Sequence, residues 1–294
     1  MSEFFIELFS EEIPANLQNK TRQDFFQNLK EFLEKEDIKY SGEATAFSIP
    51  NRLIIYFQNI SKKITKKENE IRGPNINAPE DALNGFLKSY KISIDKTYKK
   101  KTDKGEFYFF KKPSESIETK FVLQKNLPKI LDKISWKKSM RWADHELYWG
   151  RPLKSILCCF DNKTLEFVYH HLVSSNITFI DKDFEQKTKK FVRFKDYLAF
   201  FKSQNIILDN KKREQFIVDQ LNRIAKKENL KIHFNSTLLN EVTNIVEKPN
   251  IIKCRFNKRF LEIPDDILVT TMQVHQKYFP TFDSRDNLTN NFFL

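Results

Sequence analysis

Phe4-Phe5-Ile6-Glu7-Leu8-Phe9, closed by Ser10-Glu11-Glu12-Ile13-Pro14, sets the architecture of the whole chain. Six residues, five of them apolar, make a run of strand length, and the acidic turn ends it before proline. The period then changes. Phe25, Leu29, Phe32 and Leu33 share one face of a helix predicted to reach about Lys35. Residues 44–60 return to strand character, densest at Leu53-Ile54-Ile55-Tyr56-Phe57 and broken at Pro50-Asn51-Arg52. Strands grouped with helices, without a regular βαβ rhythm, predict an α+β class of mixed sheets with packed helices.

The same mixture continues outward. Pro79-Glu80-Asp81 opens a helix with Leu83, Phe86, Leu87 and Tyr90 on one face. The cationic run Lys99–Gly105 reads as an exposed turn before a strand over Glu106–Phe110. A helix over about 115–134 carries Leu123, Leu127, Ile130, Leu131 and Ile134, with Pro128 as a kink or break. Leu153–Phe160 and Leu165–Leu172 flank Asp161-Asn162-Lys163 as a hairpin. Helices follow over about 194–204 and 210–229, the second capped by Asp209, and a third begins at Asn235-Ser236. Phe279–Phe282 and Asn291–Leu294 read as strands around the turn at 284–287. The chain stops on Phe292-Phe293-Leu294, and this apolar ending predicts that it is part of a larger protein.

Composition narrows the class. Over 294 residues, 40% hydrophobic and 14% aromatic content exclude a disordered chain, and five glycines exclude a fibrous or linker-like one. No stretch approaches the roughly 18 apolar residues of a membrane span, and the acidic N-terminus is no signal peptide. A net charge of +12 invites an RNA partner, but 40 Lys against 11 Arg leaves compositional bias equally open. Three cysteines without framework spacing point to a reduced, cytoplasmic protein.

Catalytic signatures are missing. There is no CxxC, HExxH, calcium loop, glycine-rich phosphate loop or Gly-x-Ser-x-Gly elbow. His170 and His171, if on a strand, face opposite ways, and His145 reads as part of a solvated loop. Cys254 reads as a buried small residue. What stands out is Trp136-Lys137-Lys138-Ser139-Met140-Arg141-Trp142, followed by Trp149-Gly150-Arg151-Pro152. Lys137, Lys138, Arg141 and Arg151 can neutralise phosphate while Trp142 or Trp149 stacks on a base. The alternative is a loop whose rings plug the core while the cations stay wet. In Met272–Pro280, His275 and Lys277 are expected to stabilise a helix end while Tyr278 and Phe279 pack inside.

Nine segments in register carry a resemblance. Ile6–Pro14 is similar to an E-I-G-T-E-E-L-P opening, Pro50-Asn51-Arg52-Leu53 to Pro-x-Arg-Leu, and Arg72-Gly73-Pro74 to Arg-Gly-Pro. Thr102–Glu106, Met140-Arg141-Trp142 with Arg151-Pro152, Leu238–Thr243, Val246–Pro249, Phe260–Pro264 and Met272–Pro280 complete the series. Together they resemble the N-terminal part of the β subunit of bacterial tetrameric glycyl-tRNA synthetases. The resemblance implies one region over 1–294, or two sub-domains at 1–150 and 151–294. It implies a fold like the B3/B4-like region of the phenylalanyl-tRNA synthetase β chain, with helical and anticodon-binding domains lying beyond this chain. It further implies tRNA(Gly) and a catalytic α subunit as partners in a cytoplasmic heterotetramer, with ATP and Mg at the α subunit. This chain is then expected to hold no catalytic residue, metal or cofactor. Two other roles stay open: an editing deacylase, and a scaffold without RNA contacts. The chain departs from the family pattern at Phe179–Phe184, where Gly-His-Arg-Phe is common. It departs again at Ala143 and Lys248, where the pattern has glycine and tryptophan.

Overall fold

A computed structural model describes residues 2–66, 68–180 and 187–294. The opening strand β1 (Ser2–Ser10) runs into helix α1 (Ala15–Lys35), and β2 (Ala44–Ile49) and β3 (Arg52–Ile60) form a hairpin at the predicted Pro50 break. Next come β4 (Lys63–Lys66), β5 (Asn69–Asn75), α2 (Glu80–Tyr90), β6 (Thr97–Thr102), β7 (Gly105–Lys112) and β8 (Glu115–Glu118). Helix α3 (Thr119–Leu131) leads through a long loop to β9 (Leu153–Phe160) and β10 (Lys163–Thr164). Short strands β11 (Val168–Tyr169), β12 (Leu172–Val173), β13 (Ile177–Phe179) and β14 (Thr188–Lys190) follow. Helices α4 (Phe194–Ser203), α5 (Asn210–Lys227) and α6 (Ser236–Ile245) precede β15 (Lys253–Arg255), α7 (Asp265–Thr270), β16 (Phe279–Phe282) and β17 (Leu288–Phe293). The expected α+β class with mixed sheets and packed helices is what is found.

The chain divides into two compact units, one of Met1–Ser61 with Leu123–Leu294 and one of Lys62–Val122. Residue 150 is no boundary between them, because β1 pairs with β9 inside the first unit. That unit is built on a five-stranded sheet of order β10-β9-β1-β3-β2. Central β1 is covered on both faces, which explains its nearly unbroken apolar run. One face carries Phe4 against Phe57, with Phe26 of α1 stacked on Phe57 at 5.5 Å. On the other, Phe5 meets Phe194 and Tyr197 of α4 at 5.5 and 5.8 Å. Ile217, Leu221, Leu238, Phe279 and Phe293 form a second apolar cluster near the C-terminus. Asp209 caps α5 by accepting from the Lys211 and Lys212 amides, and Asn235 caps α6 in the same way.

In the second unit, β5, β7 and β6 form an antiparallel sheet in that order, with β4 and β8 paired separately. Helix α2 lies on one sheet face, where Phe86 and Tyr90 contact Phe110. The Lys99–Gly105 run is not a turn. Lys99–Thr102 belong to β6, and only Asp103-Lys104 turn. The cations sit on an edge strand, where charge blocks further strand pairing. The expected 115–134 helix likewise begins only at Thr119, after β8, and passes through Pro128 as one element. The hairpin at Asp161-Asn162 forms, with both residues at positive φ (52° and 60°), but its second strand is only Lys163–Thr164. Leu165 then leaves the sheet, and β11 pairs with β12 instead.

Candidate nucleic-acid interface

The loop joining α3 to β9 is fixed at its base and open at its tip. Ile134 continues the buried stripe of α3. Met140 and Trp149 then exchange two backbone hydrogen bonds, 2.8 and 3.1 Å, closing an eight-residue excursion. Trp149 is 2% exposed and lies 5.1 Å from Trp136 and 6.1 Å from Tyr169. It is therefore a core plug, and no face of its ring is open for a base. Gly150 is required beneath the tryptophan pair, since a Cβ there would stand 2.2 Å from Trp136 Cε3.

The polar half of the loop points outward. Lys137, Lys138 and Arg141 are exposed, Trp142 and Arg151 are half-buried, and none of these four cations has an acidic partner among the described residues. Arg141 Nε donates to the His145 carbonyl at 3.2 Å, and its guanidinium lies 6.0 Å from the exposed Tyr148 ring. Arg151 donates to the Gly150 carbonyl at 3.0 Å. These contacts hold the guanidinium groups on backbone carbonyls and leave their charge uncompensated, the condition for recruiting a phosphate.

An aromatic cluster sits at the tip. His145 and His171 stack with ring centres 3.6 Å apart and planes 3° apart, and Trp142 presents an edge to both. His170 and His171 are not on a strand; they form the turn between β11 and β12, with His170 at φ 50°. Desolvation against its neighbours holds the His171 imidazole below its usual value, and the adjacent His145 and His170 act in the same direction. Sequence spacing gives no hint of this pair, because its members stand 26 positions apart.

Glu7 was also hidden in the sequence, although an acid inside an apolar strand is a usable signal. It is fully buried, accepts from Arg52 Nε at 3.1 Å, and accepts from the Thr178 and Tyr197 hydroxyls. Arg52 also donates to Asn51 Oδ1 at 3.0 Å and to the Phe179 carbonyl. Burial and the Glu7 carboxylate push the Tyr197 phenol well up. With both carboxylate oxygens of Glu7 accepting hydrogen bonds in the buried interior, this network organises the core. No group of three or more His, Cys, Asp or Glu side chains capable of holding a metal occurs among the described residues. No helix among them is long and apolar enough to cross a membrane.

Residues 4–294 match the family model described as "Glycyl-tRNA synthetase beta subunit". The chain belongs to that family. It is 35% identical over 294 residues to the glycine–tRNA ligase beta subunit of Rickettsia felis, and 36% identical over 293 residues to that of Rickettsia prowazekii. Each match covers 99% of this chain and 44% of the relative, so the chain spans under half the length of these curated β subunits.

Set in the β-subunit family, the departures acquire physical meaning. Ala143 stands where the family pattern has glycine, and its φ of 47° is the left-handed conformation that favours glycine. Lys248, in place of tryptophan, is exposed at the rim of an open depression lined by Ile206, Ile207, Phe216 and Pro249. Of the segment Phe179–Phe184, read against the Gly-His-Arg-Phe motif, residues 181–184 lie outside the described residues. In the Met272–Pro280 segment Lys277 Nζ donates to the Val274 carbonyl at 2.8 Å and pairs with Glu241, and Phe279 is buried, whereas His275 is exposed and Tyr278 only half-buried.

Proposed function

We propose that this chain is the tRNA-engaging and assembly-supporting part of a glycine–tRNA ligase β subunit. The chemistry of glycyl transfer, with ATP and Mg, then takes place on a separate α subunit of a cytoplasmic heterotetramer. In this reading the first unit is the counterpart of the B3/B4-like region of the phenylalanyl-tRNA synthetase β chain. The observation that carries the proposal is the loop at 137–151. It presents Lys137, Lys138, Arg141 and Arg151 without acidic partners, beside the half-buried ring of Trp142, in a β-subunit family chain. The cations attract the tRNA backbone, and Trp142 offers a ring to an unstacked base.

Binding of this origin weakens steeply with salt, by a log–log slope of roughly 0.9 per phosphate contact. The test is binding of tRNA(Gly) to the full chain between about 50 and 200 mM salt, for the native protein and for K137Q/K138Q/R141Q/R151Q. The reading expects a weaker, flatter curve for the variant, the slope falling by up to about four. An unchanged curve overturns the loop as the contact. Co-purification with the α subunit in the absence of any tRNA binding would leave the scaffold role in its place.

A further inference from the structure

The second unit, Lys62–Val122, holds 15 Lys and Arg against nine Asp and Glu, and so carries half of the chain's net charge of +12 in 61 residues. Its three-stranded sheet has α2 on one face only. The pairings Arg72↔Phe109, Tyr98↔Phe109 and Lys100↔Phe107 place these side chains together on the opposite face. There the rings of Phe107 and Phe109 are buried beneath side chains of their own sheet, and Tyr98 is half-buried. The Arg72 guanidinium lies 3.6 Å from the Phe107 ring centre, the Lys100 ammonium 5.4 Å from that of Phe109, and Tyr98 stacks on Phe109 at 6.2 Å. Arg72 and Lys100 are themselves exposed, and an open depression beside Tyr98 is lined by Lys96, Lys111 and Pro113.

We propose that this sheet face binds single-stranded RNA, with an unpaired base stacking on the half-buried ring of Tyr98 and the cations around it turning to the phosphates. The chemistry argues for this ligand over others. An antiparallel sheet with Tyr98 on an outer strand and cations on both outer strands offers a base a ring and its phosphate a counter-charge beside it. A duplex keeps its bases stacked and presents only phosphate to such a face. An acidic peptide uses the cations and leaves the rings idle. Lys100 is paired with Glu70 at 2.5 Å and Tyr98 also donates to Glu70, so this carboxylate holds both side chains in place and is the group an incoming phosphate must displace. Arg72 has no acidic partner among the described residues.

The proposal stands apart from the 137–151 loop, and one experiment separates the two. Binding of a labelled octauridylate to the full chain is measured by anisotropy, alongside an RNA hairpin duplex, with polyglutamate as competitor. The native chain is expected to bind the octamer more tightly than the duplex. Tyr98→Ala, at a half-buried position of an edge strand, and Arg72→Gln, at an exposed one, are each expected to weaken octamer binding about tenfold. K137Q/K138Q/R141Q/R151Q, which removes four cations elsewhere, is expected to weaken octamer and duplex binding alike and to leave the preference for the octamer unchanged. Absence of octamer binding, equal affinity for the duplex, effective competition by polyglutamate, or loss of the octamer preference in the loop variant rather than in Tyr98→Ala each overturns the proposal. Circular dichroism of each variant shows that its fold is kept.

Discussion

The indole of Trp136 occupies the space in which any side chain at position 150 would begin, so the pair Trp136–Gly150 fixes how the 137–151 loop leaves the core. The close approach explains a glycine whose necessity is steric rather than conformational.

Gly150→Ala should therefore cost about 1–3 kcal/mol, the range for overpacking a filled site, and should move the Trp136 ring off Trp149. Urea unfolding and tryptophan near-UV circular dichroism check both. An alanine variant of native stability and native near-UV signal contradicts the packing described.

Ala143 runs the opposite way. Its left-handed φ of 47° strains an alanine, and Ala143→Gly relieves it. A gain of up to about 1 kcal/mol is expected, read as a rise in the urea midpoint at constant m-value. A midpoint that falls shows that the position is not strained.

Breaking the Glu7–Arg52 pair from one side leaves a charge in the core. Arg52→Leu alone should cost about 3–5 kcal/mol, and the double variant Glu7→Leu/Arg52→Leu clearly less than the sum of the two single changes. A double-mutant cycle gives the coupling. Strict additivity would mean that the two groups are held by their other partners and not by each other.

His171 gives the fold a pH dependence of known sign. Its imidazole is held below the unfolded value near 6.5, so in mildly acidic solution the unfolded chain binds the proton more readily. Its contribution is complete above about pH 6.5 and is lost as pH falls through the lower folded value. Melting temperature should drop between about pH 7 and 5, and His171→Gln should drop less. Equal slopes in the two proteins would remove His171 as the cause.

The sequence made the helices legible because their signals are local. Asp209 and Asn235 announce caps, and the stripe Leu123–Ile134 announces a buried face. The strands were harder. Lys99-Lys100-Lys101 looks like a solvated turn because an edge strand needs only alternate residues over the sheet, and Lys100 sets its ammonium over the Phe109 ring. The candidate loop was visible as a cation–tryptophan cluster, yet composition cannot say which ring is swallowed. Trp149 went to the core because its backbone is locked to Met140. The His145–His171 stack and the Glu7 network arise from long-range pairing, which no window of neighbouring residues contains.

The acid in the middle of β1 carries one more consequence. Its strand is greasy on both sides, and phenylalanine, isoleucine and leucine are nearly interchangeable there, so hydrophobicity alone tolerates several alignments against β3 and β9. A slip of one residue turns the carboxylate to the opposite face, away from Tyr197 and Thr178, and leaves it bare in hydrocarbon. Glu7 thus serves as the notch on a key: of all the ways these strands can slide past one another, it admits one.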